Sequence, residues 1–338
     1  MMRYASTLLS LTLGVVLLVV GTGCETPEPE PEAAEAEAAG HVLLADKDAD
    51  KLFFIHPQTY AVEDTIEVGR GPHEVAVHET LRRAYVANYE GEEGIVSIID
   101  LDDREEITRV GLDSHGQPHG IEVSPDEDWV GVTVEADRAV VGLHPARGDV
   151  QWTVETEQDV THMLAIAPDS ERLYTANIGS GTATAIDIED REVIDHIETG
   201  AGAEGIALTP DGSELWVANR EDDTVSIVDP ETLEVIDTLE VEGFPLRVYM
   251  THDGSTALVS CARAGEVAVV DVENRDVIDR VATGEAPIGV QITPDDERAF
   301  VGNMHGGTVS VIDLETLDVI ENFDLGEGPD GMAFAPAE

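Results

Sequence analysis

A short motif recurs along this chain at intervals of 42 to 46 residues. It is clearest as PHEVAV at residues 72–77, which returns as PHGIEV at residues 118–123. A period of roughly 20 to 50 residues is typical of arrays built from one supersecondary unit, so the content of that unit decides the fold. The first position of the motif is occupied by Pro72, Pro118, Thr161, Ala203, Pro245, Pro287 and Pro329.

Each repeat contains four short segments that have the pattern of β-strands. In residues 203–244 these segments are rich in Val, Ile, Leu and Thr, and turn signals such as Asp229-Pro230 separate them. No segment after residue 40 carries a helical apolar period long enough to compete with this interpretation. The repeat is therefore predicted to be a four-stranded antiparallel meander of the size of a propeller blade.

Seven such blades fit into residues 41–338, at about 43 residues each. Six are complete between Pro72 and Pro329. The seventh is predicted to combine residues 330–334, as its inner strand, with residues 41–71, which supply the outer three strands. This join would close the ring and leave no long open edge. The sequence thus predicts an all-β fold, a seven-bladed propeller of four-stranded antiparallel blades.

The repeats also resemble a known family, the YVTN-type β-propeller repeats of the YncE-like group. The resemblance covers residues 41–338 and rests on AYVANYEGEEGIVSIID, LYTANIGSGTATAID, LWVANREDDTVSIVD and AFVGNMHGGTVSVID. The second repeat departs from the pattern, with Thr133 assigned to the Asn position and His144 replacing the closing Asp. The fifth repeat has Cys261 at the Asn position. The remaining Asn residues are expected to satisfy turn backbone: Asn88, Asn177, Asn219 and Asn303.

A second resemblance is more distant. Residues 69–90, GRGPHEVAVHETLRRAYVANYE, are similar to propeller-fold lactonases, which carry the pattern Gly-x-Gly-Pro-Arg-His. His73 and Glu74 stand here in place of the Arg-His pair, so no lactonase catalytic residue is carried over. Signals of other enzymes are also missing from the sequence, including Cys-x-x-Cys-His for haem, a Gly-rich phosphate loop and a Gly-x-Ser-x-Gly elbow.

The N-terminal residues 1–23 have the pattern of a secretory signal. Arg3 precedes an apolar run over residues 8–20, which is short for a membrane span, and small residues lie directly before Cys24. This arrangement is similar to a bacterial lipoprotein signal, in which Cys24 is the site of lipid attachment. The alternative is ordinary cleavage after Gly23. Both predict an extracytoplasmic protein, and the first adds a membrane partner through the lipid anchor.

Residues 24–40 are predicted to be an acidic linker of Pro, Ala and Glu that cannot bury enough surface to fold. If Cys24 is lipidated, only Cys261 remains and no disulfide can form. The full chain has 18 Lys and Arg against 71 Asp and Glu, a net charge of −53. Such a surface is typical of halophiles and argues against a nucleic-acid partner, which requires a basic face.

The candidate site lies at one mouth of the central channel, where the inner strands of a propeller begin. The residue after the repeated Pro position is polar in five neighbouring repeats and apolar in two. In ring order these residues are Asp330, His73, His119, His162 and Glu204, followed by Leu246 and Ile288. Glycines at the next position, Gly120, Gly205, Gly289 and Gly331, indicate close packing of strands.

Three imidazoles and a carboxylate are suitable ligands for Zn, Cu, Fe or Mn. The predicted metal ligands are His73, His119, His162 and Glu204, and the further ligand contacts are Asp330 and Arg247. The alternative is that these polar side chains line a water-filled mouth and bind backbone groups left free at the strand ends. The identity of any cofactor stays open in both interpretations.

Three functions remain compatible with the sequence. The first is an exported, lipid-anchored, monomeric binding or scaffold module that presents the mouth to a small molecule, a metal or a protein. The second is an extracytoplasmic metal-dependent enzyme, with Glu204 as fourth ligand or general base and Arg247 holding an anionic substrate. The third is a surface-layer or adhesion component.

Overall fold

The computed structural model describes residues 40–91, 94–113 and 115–337. They form seven four-stranded antiparallel sheets, which confirms the predicted all-β propeller. One 3-10 helix, Glu135–Asp137, is present in this part of the chain. Cys24, the predicted signal at 1–23 and residues 24–39 of the predicted linker lie outside the described residues. No helix within the described ranges is long and apolar enough to cross a membrane.

The blades follow one another along the chain, and each runs from an inner strand at the channel to an outer strand at the rim. Blade one contains β4 (Pro72–His78), β5 (Arg83–Asn88), β6 (Ile95–Asp100) and β7 (Glu105–Gly111). Blade two contains β8 (Pro118–Val123), β9 (Val130–Val134), β10 (Ala139–Leu143) and β11 (Val150–Glu155). Blade three contains β12 (Thr161–Ile166), β13 (Arg172–Asn177), β14 (Thr182–Asp187) and β15 (Glu192–Glu198).

Blades four to six repeat this arrangement with little variation. Blade four contains β16 (Ala203–Leu208), β17 (Leu215–Asn219), β18 (Thr224–Asp229) and β19 (Glu234–Glu240). Blade five contains β20 (Pro245–Met250), β21 (Thr256–Cys261), β22 (Glu266–Asp271) and β23 (Asp276–Ala282). Blade six contains β24 (Pro287–Ile292), β25 (Arg298–Asn303), β26 (Thr308–Asp313) and β27 (Asp318–Asp324).

Blade seven joins the two ends of the propeller, as predicted. Its inner strand is β28 (Pro329–Ala335), and its other strands are β1 (His41–Asp46), β2 (Lys51–Ile55) and β3 (Val62–Glu67). Strand β28 pairs antiparallel with β1, and the Asp46 carboxylate accepts backbone hydrogen bonds from Glu327 at 2.9 Å and Gly328 at 3.0 Å. This closure pairs edges that would otherwise stay open.

The hydrophobic core lies between adjacent blades rather than at the centre of the ring. The two middle strands of each blade carry apolar side chains on both faces, and nearly all of their residues are buried. In blade four, every residue of β17 is buried, including Trp216. Clusters such as the one joining Trp216 and Val225 to Val248 and Val259 bind one blade to the next. Repetition of this contact around the ring stabilises the fold by burying apolar area.

The outer strands contain a β-bulge in each blade, which leaves one residue unpaired. In blade four, Ile227 pairs with Asp237 and Val228 with Val235, so Ile236 stands alone and is 46% exposed. Bulges and charged residues on edge strands hinder pairing with other chains, which matters for a protein with seven exposed sheet edges.

The inner strands approach one another closely at the glycine positions. A Cβ atom built on Gly289 would overlap the carbonyl oxygen of Asp330, and one built on Gly331 would overlap that of His73. The close strand packing expected at these glycines is therefore present. It narrows the channel and brings the first residues of neighbouring inner strands into contact.

Candidate functional site

The structure brings three of the predicted ligands together in a column of adjacent imidazoles, whose neighbouring rings are tilted by 38° and 33° to each other. The ring centroids of His73 and His119 are 4.3 Å apart, and those of His119 and His162 are 3.7 Å apart. Each histidine is the second residue of its inner strand, in blades one, two and three. The three side chains are buried, with His119 at the centre of the column only 2% exposed.

Carboxylates contact the two ends of this column but not its centre. At one end, His73 Nδ1 lies 2.6 Å from Asp330 Oδ2. At the other end, His162 Nδ1 contacts a carboxylate oxygen of Glu135, and its Nε2 lies 3.4 Å from Glu204 Oε1 without the alignment of a hydrogen bond. His119 Nδ1 is buried and has no hydrogen-bond partner in the described part of the chain.

This arrangement gives neighbouring imidazoles different protonation behaviour. Burial, together with the charges of His162 and His73, holds the pKa of His119 well below its usual value of 6.5. Burial alone would also lower the pKa of His162, but the hydrogen bond to Glu135 and the nearby Glu204 carboxylate raise it overall. The central imidazole is therefore neutral near pH 7, while the one at the Glu135 end favours a proton.

A buried network of charges lies beside and beneath the column. Arg247 Nη1 donates to Glu204 Oε1 at 2.9 Å, and its Nη2 reaches Glu74 Oε1 at 3.3 Å. Arg220 also contacts the second oxygen of Glu204. Although burial opposes ionisation of Glu204, its contacts with His162, Arg247 and Arg220 lower its pKa to about 2. Arg247 thus bridges blades four and one across the channel, and two carboxylates already balance its charge.

A second set of side chains, which the sequence analysis missed, covers the column. Glu135 follows β9 directly, and Tyr89 follows β5 in the same way. The Tyr89 hydroxyl donates to Glu135 Oε2 at 2.9 Å, and its ring lies edge-on to His73 at 5.1 Å. The sequence does identify this set, because each member is the residue that directly follows the second strand of its repeat. Around the ring these residues are Lys47, Tyr89, Glu135, Ile178, Arg220, Ala262 and Met304.

The register of blade two corrects the predicted alignment of that repeat. Pro118 pairs with Val134, as Pro72 pairs with Asn88, so Val134 and not Thr133 occupies the Asn position. The Thr133 hydroxyl instead accepts a hydrogen bond from Gly120 N at 2.8 Å and donates to the carbonyl oxygen of His162. Thr133 therefore helps to hold the inner strands of blades two and three together.

The Asn residues of the other repeats have a structural role, with partners that differ in part from those expected. Asn219 Nδ2 donates to the hydroxyls of Thr224 at 3.2 Å and Ser226 at 2.9 Å on the third strand. Asn303 makes the equivalent pair of contacts. These amides thus connect the second and third strands mainly through hydroxyl groups, and only in part through turn backbone.

One group of ligating atoms could bind a metal ion. Atoms of His119, Glu135 and His162 all lie within 4.8 Å of one another. Ligands at 2.0 to 2.1 Å from one metal are at most about 4.2 Å apart, so small side-chain rotations would suffice. Two of the four predicted ligands belong to this group, and Glu135 joins them. His73 lies against His119 but outside the group, and Glu204 lies beside His162.

Comparisons with known proteins agree with this architecture. A family model described as YNCE-like beta-propeller matches residues 37–298. Hydrazine synthase of Kuenenia stuttgartiensis is similar in structure, with a TM-score of 0.73 and 19% identity over 87% of this chain and 99% of that chain. A functionally unknown protein from Desulfotomaculum acetoxidans DSM 771 gives 0.77 and 14% over 89% and 100%. Among proteins of curated function, no sequence match was found. These structural similarities show the fold alone.

Proposed function

We propose that this chain, which belongs to the YNCE-like β-propeller family, is a binding module whose channel mouth holds a divalent transition-metal ion. The observation that carries this proposal is the grouping of His119, Glu135 and His162 within 4.8 Å. Two buried ring nitrogens in this group, His119 Nδ1 and His162 Nε2, have no hydrogen-bond partner in the ranges that the structure describes. Buried polar atoms without partners are costly, and a metal would satisfy them.

The nitrogen and oxygen atoms of this group suit a metal ion of intermediate softness such as Zn²⁺. Two imidazoles and one carboxylate are ligands that Zn²⁺ accepts, and Glu204 lies close enough to His162 to act as a fourth ligand. The hydrogen bond from Tyr89 to Glu135 would orient this carboxylate, as outer contacts do in known metal sites. If Glu204 keeps its contacts with arginine instead, the three remaining protein ligands would leave a position open for an external molecule.

The proposal includes the cellular context predicted from residues 1–40. Cys24 would carry a lipid, and the acidic linker would hold the propeller at a distance from the membrane. The net charge of −53 supports a saline environment and argues against a nucleic-acid partner. Mass spectrometry of the protein from its native membrane tests the anchor, since unmodified Cys24 would contradict it.

Metal content is the direct test of the binding proposal. The full chain is purified in high salt without chelator and analysed by elemental mass spectrometry, and the stripped protein is then titrated with Zn²⁺ or Co²⁺. One ion per chain is expected, with affinity at least about tenfold lower in His119→Ala. The matched control is His252→Ala, because His252 is exposed and pairs with Asp296 away from the mouth. Absence of stoichiometric binding, or equal losses in the two variants, would overturn the proposal.

Metal-dependent catalysis is the second candidate, since a site with three protein ligands leaves coordination positions open. Hydrolysis of ester or phosphoester substrates by the metal-loaded chain, and its loss in Glu135→Gln, would support this function. Turnover that persists after the metal has been removed would contradict it.

A further inference from the structure

The mouth has an apolar part beside the polar column. Leu246 and Ile288 occupy the two ring positions between Glu204 and Asp330, and a cavity of about 830 Å³ opens over them. Small residues from the loops of blades five and six, such as Ala264 and Ala286, form much of its wall. This volume and lining are those of sites for small organic molecules.

An arginine at this cavity has an unusual environment. The Arg263 guanidinium lies 3.7 Å from the centroid of the Phe244 ring, and both residues line the cavity. The chain has 71 acidic and 18 basic residues, yet Arg263 forms no ion pair with any described residue. Most of the other arginines bind a carboxylate or a backbone carbonyl. An arginine held by an aromatic ring keeps its donors available for a ligand.

Among the described residues that line the cavity, few charged side chains accompany Arg263. Glu285 is the one carboxylate in its lining, and His305 lies there as well. The Arg220 guanidinium lies 5.3 Å from the centroid of the Phe244 ring, but it is already bound to Glu204. No described carboxylate pairs with the Arg263 guanidinium, so its donors can bind an acidic group of a ligand even on a chain with a net charge of −53.

We infer that this mouth binds a small organic anion, with its apolar or aromatic part on Leu246 and Ile288 and its acidic group on Arg263. This inference rests on the proposed function, because it places the ligand at the same channel mouth. It adds the chemical class of the ligand. The contact to Arg263 needs no metal, so the two proposals can be tested separately.

The test compares two fluorescent probes that share a ring system. The first is 1-anilinonaphthalene-8-sulfonate, which carries a sulfonate, and the second is N-phenyl-1-naphthylamine, which does not. Both are titrated into the full chain in high salt with chelator present. The sulfonate probe is expected to bind at one site per chain. In Arg263→Gln its affinity should fall about tenfold, as for loss of a charged hydrogen bond, while the neutral probe is little affected.

A matched variant controls for the loss of a positive charge. Arg298 also forms no ion pair with a described residue, but it lines a different cavity together with Pro57 and Pro294. Arg298→Gln should therefore leave both probes unchanged. Ile288→Asp should weaken both, since it places a carboxylate under the apolar part of the ligand. Equal effects of Arg263→Gln and Arg298→Gln, or no binding of the sulfonate probe, would overturn the inference.

A further variant separates this inference from the metal proposal. His119→Ala should lose metal and keep the affinity for the sulfonate probe measured with chelator. Metal binding without probe binding would leave the proposed function intact and refute the inference. Probe binding that appears only after metal is added would show that the anion is a metal ligand, and would refute the contact with Arg263.

Discussion

Blade four and blade two have the same four-stranded fold. They differ in the side chains at the end of the second strand and the start of the third. In blade four the Asn219 amide binds two hydroxyls of the next strand, at 3.2 and 2.9 Å. In blade two the positions equivalent to the Asn and the two hydroxyl residues are all apolar, so none of these hydrogen bonds can form. The corresponding residues are Asn219, Thr224 and Ser226 in blade four, and Val134, Ala139 and Val141 in blade two.

The chain that follows this position also differs between the two blades. In blade two it forms the 3-10 helix Glu135–Asp137, which ends at Arg138 in the left-handed region with φ 52°. This helix places Glu135 against His162, whereas in blade four the next residue, Arg220, pairs with Glu204. The blade that departs from the repeat is therefore the one that supplies a carboxylate to the candidate metal site. Departures from a repeat can mark the residues that carry chemistry.

The largest expected effect comes from restoring the Asn in blade two. Val134→Asn buries an amide without hydroxyl partners and should lower the free energy of unfolding by about 3 kcal/mol. Adding Ala139→Thr and Val141→Ser supplies those partners and should recover at least half of the loss. Denaturant unfolding at fixed salt measures both. A single variant as stable as the parent would show that blade two tolerates the polar group without its partners.

A smaller effect concerns an inner-strand position, where blade two has Glu122 and blade four has Ala207. Burial raises the pKa of Glu122 to about 8, although the Ile166 N–H donates to its carboxylate at 3.1 Å. In the unfolded chain this group titrates near 4.5. Between these pH values the folded state holds a proton that unfolding releases, so stability falls as pH rises.

Glu122→Gln should remove this pH dependence. Because Glu122 is only partly buried, we expect the parent to lose about 2 kcal/mol relative to the variant between pH 5 and pH 8. Blade six already has Gln291 at this position of the repeat. Parallel stability profiles for parent and variant would contradict the assignment.

The sequence predicts what the repeats share and misses what only one blade does. The period of the Pro72 motif was sufficient to predict seven blades, the closure by β28 and the meeting of His73, His119 and His162, because equivalent positions of a ring must converge. Glu135 and Tyr89 were missed because ligands were expected only at the start of the inner strands, whereas the residue after the second strand reaches the same mouth. In blade two, placing Thr133 at the Asn position also set the register one residue too early.

The sequence also could not predict the directions of the arginine side chains at the mouth. Arg247 reaches across the channel to Glu74, a residue 173 positions away, and also binds Glu204. No local pattern indicates which of many carboxylates a buried arginine will choose, since that choice depends on channel width and on the rotamers of neighbouring blades. The placement of Arg263 on Phe244 is likewise visible only in three dimensions.

The smallest expected effect lies at the outer rim, where the bulge residue is Ile236 in blade four and Gln151 in blade two. Ile236 is 46% exposed, so Ile236→Gln should change the free energy of unfolding by less than about 0.5 kcal/mol. Denaturant unfolding and sedimentation of parent and variant measure the change. A larger loss of stability, or a change in oligomeric state, would mean that another molecule covers the rim in solution. In that case the bulge would not prevent another chain from binding to the outer strand of blade four. Of the two blades compared, only blade two would then have an outer strand exposed to solvent.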